Sequence, residues 1–249
     1  MRIAALWLVS VALGCGANTG VNRDGGGGNG DGQASGDGGG GSGDAQNCGA
    51  LTATLRDFLS SHPDFEKAIA DDRGLVRADL GADGKPVYAA AGATATVSGV
   101  ASFDQWYRDT AGVNMTFSQP LPLTENPPGT FTFDDSSFFP LDGMGFQETF
   151  LGHNFHFTTE IHTSFVYRGG EQFTFVGDDD VWVFVNRKLG LDLGGVHGAE
   201  TATIDFDAKA AELGITKGGT YQLDVFHAER HTSESNFRMV TTIDCFIVQ

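Results

Sequence analysis

The chain has 249 residues, with 15 Lys and Arg against 32 Asp and Glu, a formal net charge of −17. Such acidity excludes the clustered basic surface that nucleic-acid binding needs, and equally a charge-driven docking on anionic lipid. With 36 glycines and 20 phenylalanines, the length allows one domain of ordinary to large size, or two small ones.

Residues 1–14 read as a secretory signal. Arg2 precedes an apolar run from Ile3 to Leu13, too short to cross a bilayer of roughly 30 Å but suited to a signal core. The ending Ala-Leu-Gly-Cys resembles a bacterial lipobox, in which the cysteine, here Cys15, becomes the lipidated first residue. The alternative is a conventional signal cleaved nearby, with Cys15 an ordinary thiol. Residues 15–47 then form a Gly/Asp/Ser-rich linker. It contains no aromatic residue, and Asp24, Asp31, Asp37 and Asp44 are set against Arg23 alone. Nothing in it offsets an ordering entropy of about 1–2 kcal/mol per residue, so it is expected to be a disordered tether. The repeat units of calcium-binding nonapeptide arrays are missing from it. Anchor, tether and domain in this order describe an exported protein, a bacterial outer-membrane or cell-surface lipoprotein, or alternatively a secreted one.

Residues 48–249 are expected to be one domain, since no second linker interrupts them. If Cys15 is lipidated, Cys48 and Cys245 remain as an even pair in an exported protein. A bridge between them would close a loop of roughly 200 residues and stabilise the fold by about 2–4 kcal/mol; two separate thiols are the alternative. Leu51, Ala53 and Leu55 alternate with Thr52, Thr54 and Arg56, the period of a half-buried strand. Ser61-His62-Pro63 predicts a short helix with proline in its first turn. Ser102 and Gln105 have capping-box spacing and predict another. Asp83-Gly84 and Gly169-Gly170 read as tight turns. Strands are predicted over 155–167, 172–176, 181–185, 201–206, 221–226 and 237–247, from their β-branched and aromatic content. The expected class is mostly β, an antiparallel sandwich or barrel with a few short helices.

The densest chemistry lies in Asp178, Asp179 and Asp180, which follow a glycine and precede an apolar strand. Adjacent carboxylates repel one another unless a cation or solvent takes up the charge, and hard oxygen donors suit Ca²⁺. A solvated acidic turn is the competing reading. The polar stretch 227–236 offers Glu229, Glu234 and Asn236 as further oxygen donors, with Arg230, His231 and Ser235 as hydrogen-bonding groups. If the flanking strands pair, this loop and the acidic turn lie at one end of the domain. His197, His227 and His231 could in principle make a zinc site, but no Cys-x-x-Cys or His-Glu-x-x-His pattern accompanies them. Elbow, phosphate-loop and dinucleotide motifs are absent, and adjacent aspartates make a poor pair for glycoside hydrolysis.

The run GDDDVWVFVNRKLGLDLGGVHGA, from Gly177 to Ala199, closely resembles the signature of fibro-slime domains of bacterial surface and extracellular proteins. LTATLRDF from Leu51, SSHPDFE from Ser60, GLVRADLGADGKPVY from Gly74, FDQWYRD from Phe103 and FHAERHTSESNFRM from Phe226 fit the same pattern. The domain in turn resembles the protective-antigen (PA-14) β-barrel of adhesins, toxins and glycosidases. In the adhesin branch two successive aspartates joined by a cis peptide hold Ca²⁺, and the ion ligates sugar hydroxyls. Placing Asn186 on the asparagine of the family's terminal turn maps the aspartate pair onto Asp178 and Asp179, and Asn236 onto the asparagine ligand. Asp180 then occupies a position that is glycine in relatives. The resemblance implies a metal site of Asp178, Asp179 and Asn236; Asp180, His197, Glu229, Arg230, His231 and Glu234 are the further ligand-binding candidates that the loops themselves offer.

The sequence therefore predicts a non-enzymatic Ca²⁺-dependent binding or adhesion module. Its expected partners are a glycan or an extracellular-matrix component, and the membrane through an N-terminal lipid. A structural matrix module that binds protein and no sugar is the alternative, and an accessory domain of a glycan hydrolase comes third.

Overall fold

The computed structural model describes residues 50–247. The signal, Cys15, the tether and Cys48 lie outside these residues. Cys245 is disulfide-bonded.

The first half of the domain is sparse in regular structure. Strand β1 (Leu51–Phe58) and the two-residue β2 (Ala70–Asp71) are followed by a single helical turn, α1 (Val100–Phe103), then β3 (Asn114–Leu121), β4 (Thr124–Glu125) and β5 (Phe131–Asp135). The second half carries β6 (Phe157–Val166), β7 (Gln172–Gly177), β8 (Asp180–Val185), β9 (Lys188–Leu193), β10 (Gly195–Val196) and β11 (Glu200–Asp205). Helix α2 (Phe206–Leu213), β12 (Thr220–Glu229) and β13 (Phe237–Thr241) complete it. A six-stranded sheet has the order β3-β1-β6-β12-β8-β9, and a five-stranded sheet the order β11-β7-β13-β5-β4. All pairings are antiparallel. The architecture is an open sandwich rather than a closed barrel.

Two cores explain the strand sequences. Between the sheets, Leu55, Ile161, Val183 and Val225 from one pack against Phe173, Phe175, Phe237 and Met239 from the other. On the outer face of the six-stranded sheet, Trp182, Phe184 and Phe226 are covered by Leu75, Tyr88, Phe103, Trp106 and Tyr107. Strand β8 is thus buried on both faces, which is why Val181–Val185 is a continuous apolar run. Its period of two sends Val181, Val183 and Val185 inward, and Asp180, Trp182 and Phe184 toward the outer cover.

Three local expectations change. Residues 61–66 form turns instead of a helix, because their polar groups are claimed from elsewhere: Asp64 accepts from Trp106 Nε1 (3.0 Å) and Ser98 N (2.6 Å), and Glu66 N donates to Arg230 O (2.8 Å). Helix α1 starts at Val100, with Gly99 as N-cap and no side-chain cap; Ser102 sits inside it, its Oγ donating to Gly99 O (3.0 Å). Helix α2, absent from the sequence reading, begins where the strand over 201–206 was expected to end. Its signals are local: Asp205 caps Ala208 N (3.0 Å), and Gly214 takes a left-handed φ of 66° after the last turn.

Candidate functional site

Three connections cross between the sheets at one end of the sandwich. Gly177–Asp180 passes from β7 to β8, residues 194–199 lead from β9 to β11, and residues 230–236 lead from β12 to β13. Registry brings the first and third together, since Ala228 pairs with Asp180 and Phe237 with Gly177. The expected meeting of the acidic turn and the 227–236 loop is therefore found. Backbone packing there is close: a Cβ on Gly177 would lie 2.7 Å from Asn236 O, and one on Gly195 would lie 2.5 Å from Ala70 O.

The three aspartates have three different environments. Asp178 Oδ2 accepts from the backbone N (2.8 Å) and Nδ2 (2.9 Å) of Asn236, while Oδ1 is buried and has no hydrogen-bond partner. Burial pushes its carboxyl above the usual range, and Glu234 adds to this. Asp179 stands in the left-handed region at φ 50° and is locked by backbone: Oδ1 accepts from His197 N (3.2 Å) and Oδ2 from Arg230 N (2.7 Å). Burial, reinforced by Asp180, pushes Asp179 up to about 7. The Asp178–Asp179 peptide is trans; among the described residues the cis bond is Asn126–Pro127. The expected cis aspartate pair is thus replaced by a trans pair, with the turn made by the positive φ of Asp179.

Asp180 is a structural counter-ion. Its Oδ1 accepts from Gly195 N (2.8 Å), and its Oδ2 accepts from Arg230 Nε (2.6 Å) and forms an ion pair with Nη2 at 2.6 Å. Arg230 is fully buried, donates from Nη1 to Asp64 O (2.9 Å) and Thr96 O (2.7 Å), and lies 4.5 Å over the Trp106 ring. Neither residue faces the surface. Their role as ring members of the site is corrected to holding the outer cover on the sheet.

The remaining candidates divide between surface and interior. His197, His231 and Glu234 line a cleft of about 80 Å³ together with Asp178, Asp179 and Ser233. His231 Nδ1 meets Thr232 O (3.1 Å), and its Nε2 lies 3.6 Å from Glu66. Glu229 is fully buried on the inner face of β12, and neither carboxyl oxygen has a hydrogen-bond partner. Burial, with Asp179 and Asp178 nearby, pushes its carboxyl well above the usual range. His227 is two residues back on the same face, ringed by Phe138, Phe157, Phe175 and Phe237, and burial lowers it to about 3. It is a core residue apart from the cleft, which dissolves the nominal zinc set. Among the described residues no three His, Cys, Asp or Glu side chains converge as a metal-ligand set. The hard oxygen donors left over at the turn are Asp178 Oδ1 and the side-chain carbonyl of Asn236, whose amide nitrogen is spent on Asp178.

Sequence reasoning missed Ile69 on the cleft rim and Glu66 behind it. Glu66 Oε1 accepts from Thr232 N (3.2 Å) and meets His156 Nε2 (2.9 Å), tying the 231–234 loop to the body. No local signal marks either residue, since Glu66 reaches Thr232 across 166 positions of chain and His156 across 90, and Ile69 meets a cleft built from the second half of the chain.

Comparison with known proteins gives the setting. Protein psiD of Dictyostelium discoideum is 40% identical over 211 residues, covering 78% of this chain and 41% of psiD. Protein psiC of the same organism is 37% identical over 224 residues, covering 82% of this chain and 43% of psiC. The chain thus spans less than half the length of these curated relatives. Among solved structures, the PA14 sugar-binding domain from an RTX adhesin superposes with a TM-score of 0.35 at 10% identity, over 77% of this chain and 88% of that one. Residues 109–244 match the PA14 domain, and the chain belongs to the PA14 domain family.

Proposed function

We propose that this chain is a PA14 module of the fibro-slime type that binds carbohydrate at the cleft beside the acidic turn, with Ca²⁺ as the bridging ion, and that it is displayed at a cell surface through a lipid on Cys15. Binding without turnover is the activity this reading assigns. The observation that carries it is Asp178 Oδ1, a buried carboxylate oxygen at an open cleft with no protein partner. An unpaired buried carboxylate is costly, and a hard cation is the group that satisfies it. Asp178 and Asn236 would hold the ion, with Asp179 fixing the turn. So few side-chain donors leave coordination positions for backbone carbonyls, water and ligand hydroxyls, since Ca²⁺ takes six to eight oxygens.

The test is thermal unfolding in calcium and in chelator, followed by glycan-array binding under both conditions. At a hundredfold excess over its dissociation constant, calcium stabilises by about 2.7 kcal/mol. Asp178→Asn should lose that gain and the sugar signal together, while keeping the Asn236 contacts through its amide oxygen. Identical melting temperatures in calcium and chelator, with sugar binding unaffected by chelation, would remove the ion from the mechanism. A wild-type protein that binds no glycan on the array would remove carbohydrate as the ligand.

A further inference from the structure

Around the acidic turn Asp178, Asp179, Asp180 and Glu229 are all buried, and Arg230 is the one buried arginine or lysine beside them. Arg230 belongs to Asp180, on the outer face of the sheet. Both oxygens of Asp179 are taken by backbone N–H groups. Three carboxyl oxygens are then left without a partner: Asp178 Oδ1 and both oxygens of Glu229. Buried groups of this kind are costly unless something satisfies them.

Glu229 stands behind the turn. Its neighbours on both sides touch the turn: Ala228 pairs with Asp180, and Arg230 N donates to Asp179 Oδ2 (2.7 Å). Alternation along β12 sends Ala228 to the outer cover and Glu229 inward, away from the Asp180–Arg230 pair. There its carboxyl is close enough for Asp179 and Asp178 to act on it. Ser235 and the backbone of His231 are also near, but the Ser235 hydroxyl donates to Phe138 O (2.8 Å). Asn236, whose amide nitrogen is spent on Asp178, closes the same corner.

We infer that Glu229 is a third side-chain ligand of the calcium ion, supplied from the interior of the sandwich, while Asp178 and Asn236 hold the ion from the turn and the loop. The inference rests on the calcium reading above and adds a ligand hidden beneath the cleft. Two carboxylates and a side-chain carbonyl are hard oxygen donors of the kind Ca²⁺ takes, and a divalent ion balances the charges of Asp178 and Glu229. The consequence is mechanical. Glu229 ends β12 of the six-stranded sheet and Asn236 leads into β13 of the five-stranded one, so an ion held by both ties the two sheets at this end. Calcium binding is then a property of the folded domain alone and does not wait for a sugar.

The experiment titrates the full chain with calcium by calorimetry, without sugar, and follows melting in calcium and in chelator for the wild type, Glu229→Gln and Glu229→Met. Both variants should bind calcium about tenfold or more weakly, since ligand charge sets the affinity of such sites. Their melting temperatures in chelator should hold or rise, because the unpaired carboxyl is gone. Infrared difference spectra should show calcium shifting the bands of two carboxylates in the wild type and of one in Glu229→Gln. Wild-type affinity in both variants, or two carboxylates still shifted in Glu229→Gln, overturns the assignment of Glu229; the calcium reading then stands on Asp178→Asn. A fall of the chelator melting temperature in both variants assigns Glu229 to the fold itself and likewise overturns it. A wild-type protein that binds no calcium overturns both.

Discussion

Replacing Asp180 by Asn removes the one carboxylate in contact with the fully buried guanidinium of Arg230, at 2.6 Å from both Nε and Nη2. The amide keeps the shape but has one acceptor oxygen where the carboxylate uses two, so it can serve Arg230 or Gly195 N but not both, and the charge and one hydrogen bond are lost together. Breaking a buried ion pair by removing one partner typically costs about 3–5 kcal/mol, because the other charge stays desolvated. Here Arg230 keeps two carbonyl acceptors, the Trp106 ring at 4.5 Å and the neighbouring Asp179, which argues for the lower end, about 3 kcal/mol. In a domain of this size that corresponds to a fall in Tm of roughly 6–12 °C. Urea unfolding in calcium-free buffer measures it directly. The double variant Asp180→Asn/Arg230→Met removes both charges and should be more stable than Asp180→Asn alone, with a coupling of about 2 kcal/mol in the cycle. A loss below about 1 kcal/mol for Asp180→Asn, or strict additivity in the double variant, would refute the assignment of Asp180 as a structural counter-ion.

His162 is clamped between Asp224 (2.6 Å) and Glu160, and Glu160 also receives Arg56 (2.7 Å) and Lys85. Burial opposes the charged ring, yet Asp224 and Glu160 hold His162 up at about 9, above its ordinary 6.5. Its contribution is therefore complete below pH 6.5 and lost as pH rises through about 9; with the side chain 34% exposed it amounts to about 1–2 kcal/mol. His162→Gln should flatten the stability profile between pH 6.5 and 9.5, and an unchanged slope would show that the clamp contributes nothing. His227→Leu replaces a buried imidazole in a phenylalanine cage, whose Nε2 has no partner and whose Nδ1 has only a long 3.4 Å contact with Thr159 Oγ1, and should leave stability equal or raise it by about 1 kcal/mol; destabilisation by more than about 2 kcal/mol in urea would mean that the Thr159 contact holds the ring in place. Cys15→Ser should abolish lipid labelling and release the protein from membrane fractions, and unchanged fractionation would discard the lipid anchor.

The strands were largely legible because both sheets follow the period of two, and the acidic turn and the 227–236 loop were placed together because adjacent strands had to carry them there. What failed was pairing at long range. Asp178, Asp179 and Asp180 look alike in sequence, yet the alternation of β8 already puts Asp180 on the face of Trp182 and Phe184, where a carboxylate needs a counter-ion. Its partner stands 50 positions away and looked like one polar group among several in a loop. The glycine expected at Asp180 by resemblance therefore misled, because this chain uses the position for an ion pair. The missed helix α2 is eight residues of modest amphipathicity, where Asp205 and Gly214 were the readable marks and the strand pattern before it obscured them.

The outer cover also has a consequence for where this protein begins as a physical object. Residues 109–244 match the PA14 domain, but β1 lies between β3 and β6 in the six-stranded sheet and precedes that range. So do Trp106, Phe103 and the carbonyls of Asp64 and Thr96 that receive Arg230. A fragment starting at residue 109 would open a gap in the middle of a sheet, bare the outer faces of Trp182 and Phe226, and strand a cation in apolar surroundings. The stretch that matches the PA14 domain is thus shorter than the folded unit. The described residues before 109 supply a central strand and the outer cover, and belong to the same folded unit.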